Sequence, residues 1–178
     1  PQKTPDYTFH KLILYEAVLL TQAKRVLETG TDVGDSARIF ATALRRTNGV
    51  LFTIDRKTDL DLSWMVEYPN VMAIRGDSLQ IPDDSPWKDG LDVLYIDSEH
   101  TKEQVLAELR KYAKFVRVGG IILIHDTVHQ EFSGVITDAI RTWCREVGLR
   151  WSEDSNPYGM AIIEVTKSLK EPTDGIPK

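Results

Sequence analysis

The stretch LRWSEDSNPYGMAIIEV, residues 149–165, decides the fold of this chain. Two predicted strands, residues 149–153 and 160–165, flank a short turn. The turn consists of Asn156, Pro157, Tyr158 and Gly159. A connection this short joins antiparallel strands, because a parallel pair requires a crossover of about a dozen residues or more. The sequence therefore predicts that its last two strands form an antiparallel hairpin.

The segments before this hairpin alternate between short β-branched runs and longer runs with helical period, which is typical of a parallel sheet covered by helices. The predicted strands are residues 25–29, 50–54, 71–74, 91–96 and 121–124. The predicted helices are residues 9–24, 36–44, 60–68, 101–115 and 132–147. Gly119 and Gly120 are expected to form the turn into strand 121–124, whose unbroken apolar character predicts a central strand covered on both faces. The pattern indicates an α/β fold with an antiparallel last strand.

Composition predicts one globular domain, residues 1–167, followed by a mobile tail, residues 168–178, because 42% of the chain is hydrophobic and 28% is charged. The net charge of −5 disfavours nucleic-acid binding, which needs clustered Lys and Arg. Apolar runs are far shorter than the roughly 20 residues that span a bilayer. The single cysteine, Cys144, favours a reducing compartment, and we expect a cytoplasmic protein with a small-molecule substrate and no membrane partner.

The first candidate site is ETGTDVGDS, residues 28–36, where the first strand turns into a helix. Ligands of open α/β sheets bind at the carboxyl ends of strands, where the strand order reverses. Glycines let the backbone approach a ligand, and the start of a helix offers free amide donors. The alternative is a tight strand-to-helix connection without a ligand.

Polar residues also follow the next two strands. Asp55 ends the second strand, where a carboxylate can accept hydrogen bonds from both hydroxyls of a ribose. The alternative for Asp55 is a helix cap. Gly76, Asp77 and Ser78 follow the third strand and could bind an adenine, or form an ordinary loop.

At these residues the chain resembles class I S-adenosylmethionine-dependent methyltransferases, in particular the small O-methyltransferases of the catechol and caffeoyl-coenzyme A type and their bacterial relatives. The resemblance covers roughly residues 10–165 and implies a Rossmann-like, doubly wound, seven-stranded sheet of order 3-2-1-4-5-7-6 with strand 7 antiparallel. It rests on Glu28-Thr-Gly-Thr with Gly34 and Ser36, on Asp55, and on Gly119-Gly120 before Ile121. Asp32 stands where relatives often have glycine. The cofactor-binding residues that the resemblance implies are Glu28, Gly30, Thr31, Gly34, Ser36, Asp55, Gly76, Asp77, Ser78 and Asp97.

Two aspartates follow neighbouring central strands, Asp97 after the fourth and Asp126 after the fifth. Paired carboxylates suit Mg²⁺ or Ca²⁺, and Asp97 and Asp126 are the predicted metal ligands. Metal-dependent members of the family carry an Asp-Asn pair after the fifth strand, whereas this chain has Thr127 after Asp126. A hydroxyl is a poorer neutral ligand than an amide, so the sequence leaves open whether a metal is required.

The predicted catalytic residues are His100 and Asp97. His100 is the predicted base, because an imidazole that titrates near pH 6 to 7 can take the proton of an acceptor hydroxyl. In catechol-type enzymes a lysine occupies the position of His100. The alternative for His100 is a capping or surface residue at the start of the helix that follows. His125 is expected to be half-buried structure, and His129 is a second candidate base.

Three aromatic residues, Trp64, Tyr68 and Trp87, are predicted to pack in the core rather than to line a site. The substrate pocket is expected to form from the loops near residues 82–88, 129–134 and 154–158, or with a second copy of the chain in a homo-oligomer.

The predicted function is methyl transfer from S-adenosylmethionine to a small molecule, at a hydroxyl oxygen. One alternative is a nicotinamide-dependent dehydrogenase, which would normally carry the G-x-G-x-x-G spacing that this turn lacks. The other is a non-catalytic module that binds the cofactor on the same fold.

Overall fold

Alternating strands and helices build one sheet with helices on both faces. The computed structural model describes residues 8–155 and 158–169. Its helices are α1 (Thr8–Thr21), α2 (Asp35–Thr47), α3 (Lys102–Tyr112) and α4 (Ser133–Val147). Its strands are β1 (Arg25–Thr29), β2 (Val50–Asp55), β3 (Val71–Arg75), β4 (Leu91–Ile96), β5 (Val116–His125), β6 (Ser152–Asp154) and β7 (Met160–Glu164).

The seven strands lie in the order β3-β2-β1-β4-β5-β7-β6. Strands β1 to β5 are parallel, and β7 runs antiparallel to both β5 and β6. This arrangement confirms the predicted fold class, sheet order and hairpin. The chain builds outward from β1 through β2 to β3 and then returns to β4 on the other side of β1. The strand order therefore reverses between β1 and β4, where open α/β sheets bind their ligands.

Alternate residues of the central strands face two separate cores. Val26 and Leu51 pack on the side of α1 and α2, whereas Leu27 and Phe52 pack on the side of α3 and α4. Because both faces are covered, the strands read as unbroken apolar runs instead of alternating with polar residues. Trp87 is fully buried in the second core, as predicted from its aromatic character.

The helix predicted for residues 60–68 is wrong in extent, since only a 3₁₀ segment, Ser63–Glu67, forms there. The Asp61 carboxylate accepts a hydrogen bond from the backbone amide of Ser63 at 2.9 Å, a local turn that competes with a longer helix. Pro69 then stands two residues after the 3₁₀ segment. The helix predicted for residues 101–115 ends at Tyr112 and continues as a 3₁₀ turn, Ala113–Phe115.

Two strand boundaries also differ from the prediction. The Gly119-Gly120 pair lies within β5, which begins at Val116, and not in a turn before it. The β4–β5 register shifts between Leu91 and Val93 to accommodate the extra residues, and Gly119 adopts a φ of +81° there. Strand β6 begins at Ser152 and not at residue 149.

Parts of the predicted hairpin turn and of the predicted tail lie outside the described residues. Asn156 and Pro157 of the hairpin turn lie outside the described residues. Of the tail predicted to be mobile, Leu169 packs against the core, and residues 170–178 lie outside the described part. Within residues 8–155 and 158–169, no helix has the length and apolar character needed to cross a membrane.

Gly30 allows the turn after β1 to touch the end of β4. Its φ is +96°, and a Cβ on this residue would lie 2.0 Å from the carbonyl oxygen of Asp97. Both the backbone conformation and the close approach require glycine.

We expect Gly30→Ala to destabilise the chain by about 2 to 4 kcal/mol, since the side chain meets backbone and the φ is unfavourable for alanine. The matched control is Gly134→Ala in α4, where an added Cβ meets no atom within 4 Å. That variant should be neutral or slightly more stable than the wild type. Urea unfolding of both variants measures the difference, and equal midpoints would contradict the role of Gly30.

Candidate functional site

A cleft of about 700 Å³ opens at the carboxyl ends of β1 to β5, within the size range of small-molecule sites. The predicted site residues on its wall are Gly30, Thr31, Ser36, Asp55, Gly76, Asp77, Ser78, Asp97, His100 and Asp126. His129 and Tyr158 come from two of the three loops expected to form the substrate pocket. None of residues 82–88, all of which are described, lines the cleft; Trp87 turns this loop toward the core instead.

Asp55 braces the turn after β1. Its Oδ2 accepts hydrogen bonds from the backbone amides of Thr31 at 3.0 Å and Asp32 at 2.9 Å, and its Oδ1 accepts one from the amide of Lys57 at 2.8 Å. A carboxylate offers about four acceptor positions, so this bracing leaves room for a ligand hydroxyl. The exposed Asp32 side chain forms an ion pair with the Lys57 ammonium, which offsets its negative charge at the mouth of the cleft.

Glu28 and Gly34 lie behind the wall of the cleft. The fully buried Glu28 carboxylate accepts hydrogen bonds from the hydroxyls of Ser36 and of Thr53, the latter at 2.6 Å. Burial raises the pKa of Glu28 to about 8, although both hydrogen bonds oppose this shift. Gly34 packs against the Trp64 ring, where a Cβ would lie 2.5 Å from Cε2. Both residues shape the turn from behind.

Glu108 is a second buried carboxylate, which the sequence analysis missed. It accepts hydrogen bonds from Thr29 at 3.2 Å, Ser98 at 2.8 Å and Gln104 at 3.1 Å, and another from Ser78. Gln104 lies in α3 itself, whereas Thr29, Ser78 and Ser98 end or follow β1, β3 and β4, so Glu108 joins three strand ends that form the cleft. Burial raises its pKa. Glu108 lies on the same face of α3 as the buried residues Val105, Leu109 and Tyr112. A charged residue on an apolar helix face was the available signal, because such residues are rarely buried unless they are paired.

Two aspartates and two histidines form a compact group at the other end of the cleft, here called the acid–histidine cluster: Asp97, His100, His125 and Asp126. His100 Nε2 lies 2.7 Å from Asp126 Oδ2 and 3.6 Å from Asp97 Oδ1. His125 Nδ1 lies 3.2 Å from Asp126 Oδ1 and 3.5 Å from Asp97 Oδ1. Asp126 has a φ of +60°, an uncommon conformation that is often found at functional sites.

Charges in the cluster are mutually stabilised. The adjacent Asp126 and Asp97 carboxylates raise the pKa of His100 to about 9. Burial would lower the pKa of His125, but the same carboxylates raise it to about 10. Burial likewise opposes the shift at Asp97 and Asp126, yet the two imidazoles bring the pKa of each carboxyl below its usual value. The predicted titration of His100 near pH 6 to 7 is therefore wrong for the chain without a bound metal.

All four histidines of the chain line this cleft. His10, which the sequence analysis missed, extends from α1 and places its Nδ1 2.9 Å from His125 Nε2. His10 precedes the buried Leu14 by one helical turn and is itself only 5% exposed, so a polar residue on an apolar helix face was the signal.

His100 does not cap α3, because the Thr101 hydroxyl fills that position by accepting a hydrogen bond from the amide of Gln104 at 3.2 Å. The His100 ring instead stacks on Phe132 with centroids 4.6 Å apart. His129 stacks on the same Phe132 ring at 4.8 Å and on Tyr158 at 5.0 Å. These four rings form a ladder along one side of the cleft.

Comparison with known proteins agrees with this geometry. A family model described as a methyltransferase domain matches residues 27–127, more than half of the chain. The O-methyltransferase TomG from Streptomyces achromogenes, involved in tomaymycin synthesis and solved in complex with SAM, is similar with a TM-score of 0.73 and 21% identity, over 94% of this chain and 83% of that chain. An O-methyltransferase from Bacillus cereus in complex with SAH has a TM-score of 0.67 and 19% identity, over 92% and 84%. The chain belongs to the methyltransferase-domain family.

Ionisation of Glu28 should make stability depend on pH. The pKa of this group is about 8 in the folded chain against 4.5 for an unperturbed carboxyl. Between these values the folded state binds the extra proton, so the free energy of unfolding falls as pH rises through this window. In Glu28→Gln, which cannot ionise, we expect the loss of stability from about pH 5 to about pH 9 to be smaller by roughly 1 kcal/mol or more.

Denaturant unfolding at each pH measures this difference. The exposed Glu67, substituted as Glu67→Gln, is the matched control and should keep the wild-type dependence on pH. Parallel curves for Glu28→Gln and the wild type would mean that Glu28 is ionised in the folded chain.

Proposed function

We propose that this chain transfers a methyl group from S-adenosylmethionine to a small-molecule acceptor at a hydroxyl oxygen. The observation that carries the proposal is the single cleft that joins the Gly30 turn and Asp55 at one end to the acid–histidine cluster at the other. Membership of the methyltransferase-domain family supports it, as do similar folds solved with SAM or SAH bound. A small-molecule substrate and a cytoplasmic location agree with the composition.

The cofactor fits the β1 end of the cleft. Gly30, Thr31 and Ser36 lie on the same wall of the cleft, where the chain turns from β1 into α2. We assign this region to the amino-acid end of the cofactor, Asp55 to the ribose hydroxyls, and the Gly76-Asp77-Ser78 segment to the adenine. Glu28 and Gly34 support these contacts from behind, and Asp97, a member of the acid–histidine cluster, reaches this region through its backbone carbonyl, which lies against Gly30.

The acid–histidine cluster faces the acceptor. Methyl transfer to a hydroxyl requires that the hydroxyl lose its proton, and carboxylates and imidazoles are side-chain groups that can accept a proton. His100 and Asp97 are the proposed catalytic residues. A divalent cation, with Asp97 and Asp126 as ligands, would make the acceptor hydroxyl more acidic.

The alternative functions are less well supported. A nicotinamide-dependent dehydrogenase does not agree with the family match. A non-catalytic module would leave unexplained why two carboxylates and two imidazoles converge inside the cleft. We also predict that a second copy of the chain in a homo-oligomer can complete the pocket for the acceptor.

Loss of the Asp55 carboxylate should weaken cofactor binding. In Asp55→Ala we expect the affinity for S-adenosylhomocysteine to fall about tenfold or more, because hydrogen bonds to a charged group contribute about 1.5 to 3 kcal/mol. Asp55→Asn keeps an oxygen acceptor for the turn and separates bracing from ligand contact. Calorimetry measures both variants, and unchanged affinity in Asp55→Ala would leave Asp55 with the bracing role alone.

Loss of the His100 imidazole should slow methyl transfer. We expect His100→Ala to reduce turnover by about 10² to 10⁴-fold with nearly unchanged cofactor affinity, because His100 faces the acceptor and not the ribose. Arg110→Ala is the control, since Arg110 lies on the outer face of α3 in an exposed ion pair with Glu146. Full turnover by His100→Ala would remove His100 from the chemistry.

A further inference from the structure

The His100 ring nitrogen has an unusual environment. Nε2 is buried and lies within 3.6 Å of two carboxylates, yet it meets the geometry of a hydrogen bond with neither, as is also true of the neighbouring His125 Nδ1. At 2.7 Å from Asp126 Oδ2, a nitrogen whose purpose was to donate a hydrogen bond would point at that oxygen. Atoms that bind one metal ion have this arrangement, since each directs its lone pair at a shared centre and not at its neighbours.

Asp97, His100 and Asp126 each offer one ligand atom, and these three atoms lie within 4.8 Å of one another. The ligands come from three positions of the fold: the end of β4, the start of α3 and the end of β5. All three line the cleft that contains the proposed cofactor site.

The residue after Asp126 does not complete this set. Thr127 is 1% exposed, and its hydroxyl lies against Gly159, where an added Cβ would be 2.4 Å from Oγ1. The hydroxyl therefore faces away from the cleft. The position that carries an amide ligand in metal-dependent relatives cannot supply one here, and His100 Nε2, 2.7 Å from Asp126 and 3.6 Å from Asp97, offers a nitrogen ligand in its place.

We propose that Asp97, His100 and Asp126 form a site for a first-row transition-metal dication, of the class Mn²⁺, Fe²⁺, Co²⁺ or Zn²⁺, in preference to Mg²⁺ or Ca²⁺. The reason is the donor set. Carboxylate oxygens alone suit Mg²⁺ and Ca²⁺, whereas an imidazole nitrogen favours the transition-metal dications, whose affinities rise from Mn²⁺ through Fe²⁺ to Co²⁺.

The surroundings hold the ligand side chains in place. Tyr95 donates a hydrogen bond from its hydroxyl to Asp97 Oδ2 at 2.9 Å, which leaves Oδ1 toward His100. Stacking on Phe132 fixes the plane of the His100 ring without use of its nitrogens. His125, connected to His10, contacts both carboxylates through Nδ1 but does not belong to the group of three ligand atoms, and we assign it the role of an outer partner. Such outer contacts orient metal ligands and typically affect affinity by about 10 to 100-fold.

This inference deepens the proposed function, because it names the cation class at the acceptor end and gives His100 the role of a ligand. It also replaces the pair of ligands assigned above, Asp97 and Asp126, with a set of three, and the Nε2 lone pair of His100 then binds the cation instead of taking the proton of the acceptor. Metal binding without cofactor or acceptor tests it separately, so its failure would leave the proposed methyl transfer untouched, and a failure of cofactor binding would leave the metal site untouched.

The experiment titrates the chelator-treated full chain with Co²⁺ and with Mg²⁺. Calorimetry gives the affinities and the stoichiometry, and the visible absorption of Co²⁺ reports the ligand field of the bound ion. The variants are His100→Ala and His100→Gln, with His129→Ala as the matched control, since His129 belongs to the same ring ladder but not to the ligand set. Circular dichroism checks that each variant is folded.

We expect one Co²⁺ per chain, bound at least about tenfold more tightly than Mg²⁺. Both His100 variants should lose about tenfold or more in Co²⁺ affinity and change the absorption spectrum, while His129→Ala keeps both. Three outcomes would each overturn the proposal: equal affinity for Mg²⁺ and Co²⁺, unchanged Co²⁺ binding in folded His100 variants, or no Co²⁺ binding by the wild type.

Discussion

The contact between Gly30 and Asp97 is the constraint on which the cleft depends. The Asp97 amide donates a hydrogen bond to the carbonyl of Thr29 at 2.9 Å, and Gly30 lies against the Asp97 carbonyl with no side chain between them. This contact joins the ends of β1 and β4 at the point where the strand order reverses. The chain must turn away to opposite sides there, so the loops diverge and leave a space that a ligand can enter.

Two buried carboxylates hold the loops that diverge from this point. Glu28 fixes the turn after β1 through Ser36 and Thr53, and Glu108 joins the ends of β1, β3 and β4. Hydroxyl donors offset the cost of burying each carboxylate. Burial raises the pKa of both groups, and these hydrogen bonds oppose the shift. The wall of the cleft is thus organised from behind by groups that do not face the ligand, while the charged groups that face it lie in the acid–histidine cluster.

How far the sequence predicts this structure depends on the range of the interactions involved. Strands 25–29 and 91–96 were predicted to the residue, because local apolar runs bounded by polar residues determine them. The helix predicted for residues 60–68 failed because one side chain, Asp61, stabilises a competing turn. The pairing of His10 with His125 spans 115 residues and leaves no local pattern. The predicted strand ends were sufficient to place Asp97, His100 and Asp126 at one rim of the sheet. The orientation of the His100 ring was not predictable, because it depends on stacking with Phe132, which lies at the start of α4.

Calorimetric titration of the wild-type chain with S-adenosylmethionine, S-adenosylhomocysteine and NAD tests the central claim most directly. The Gly30 turn lacks the spacing that cradles a dinucleotide pyrophosphate, and Asp55, the proposed ribose ligand, braces this turn. The proposed function predicts that S-adenosylmethionine and S-adenosylhomocysteine each bind with one site per chain and that NAD shows no saturable binding. Saturable binding of NAD, with neither sulfur cofactor bound, would contradict it.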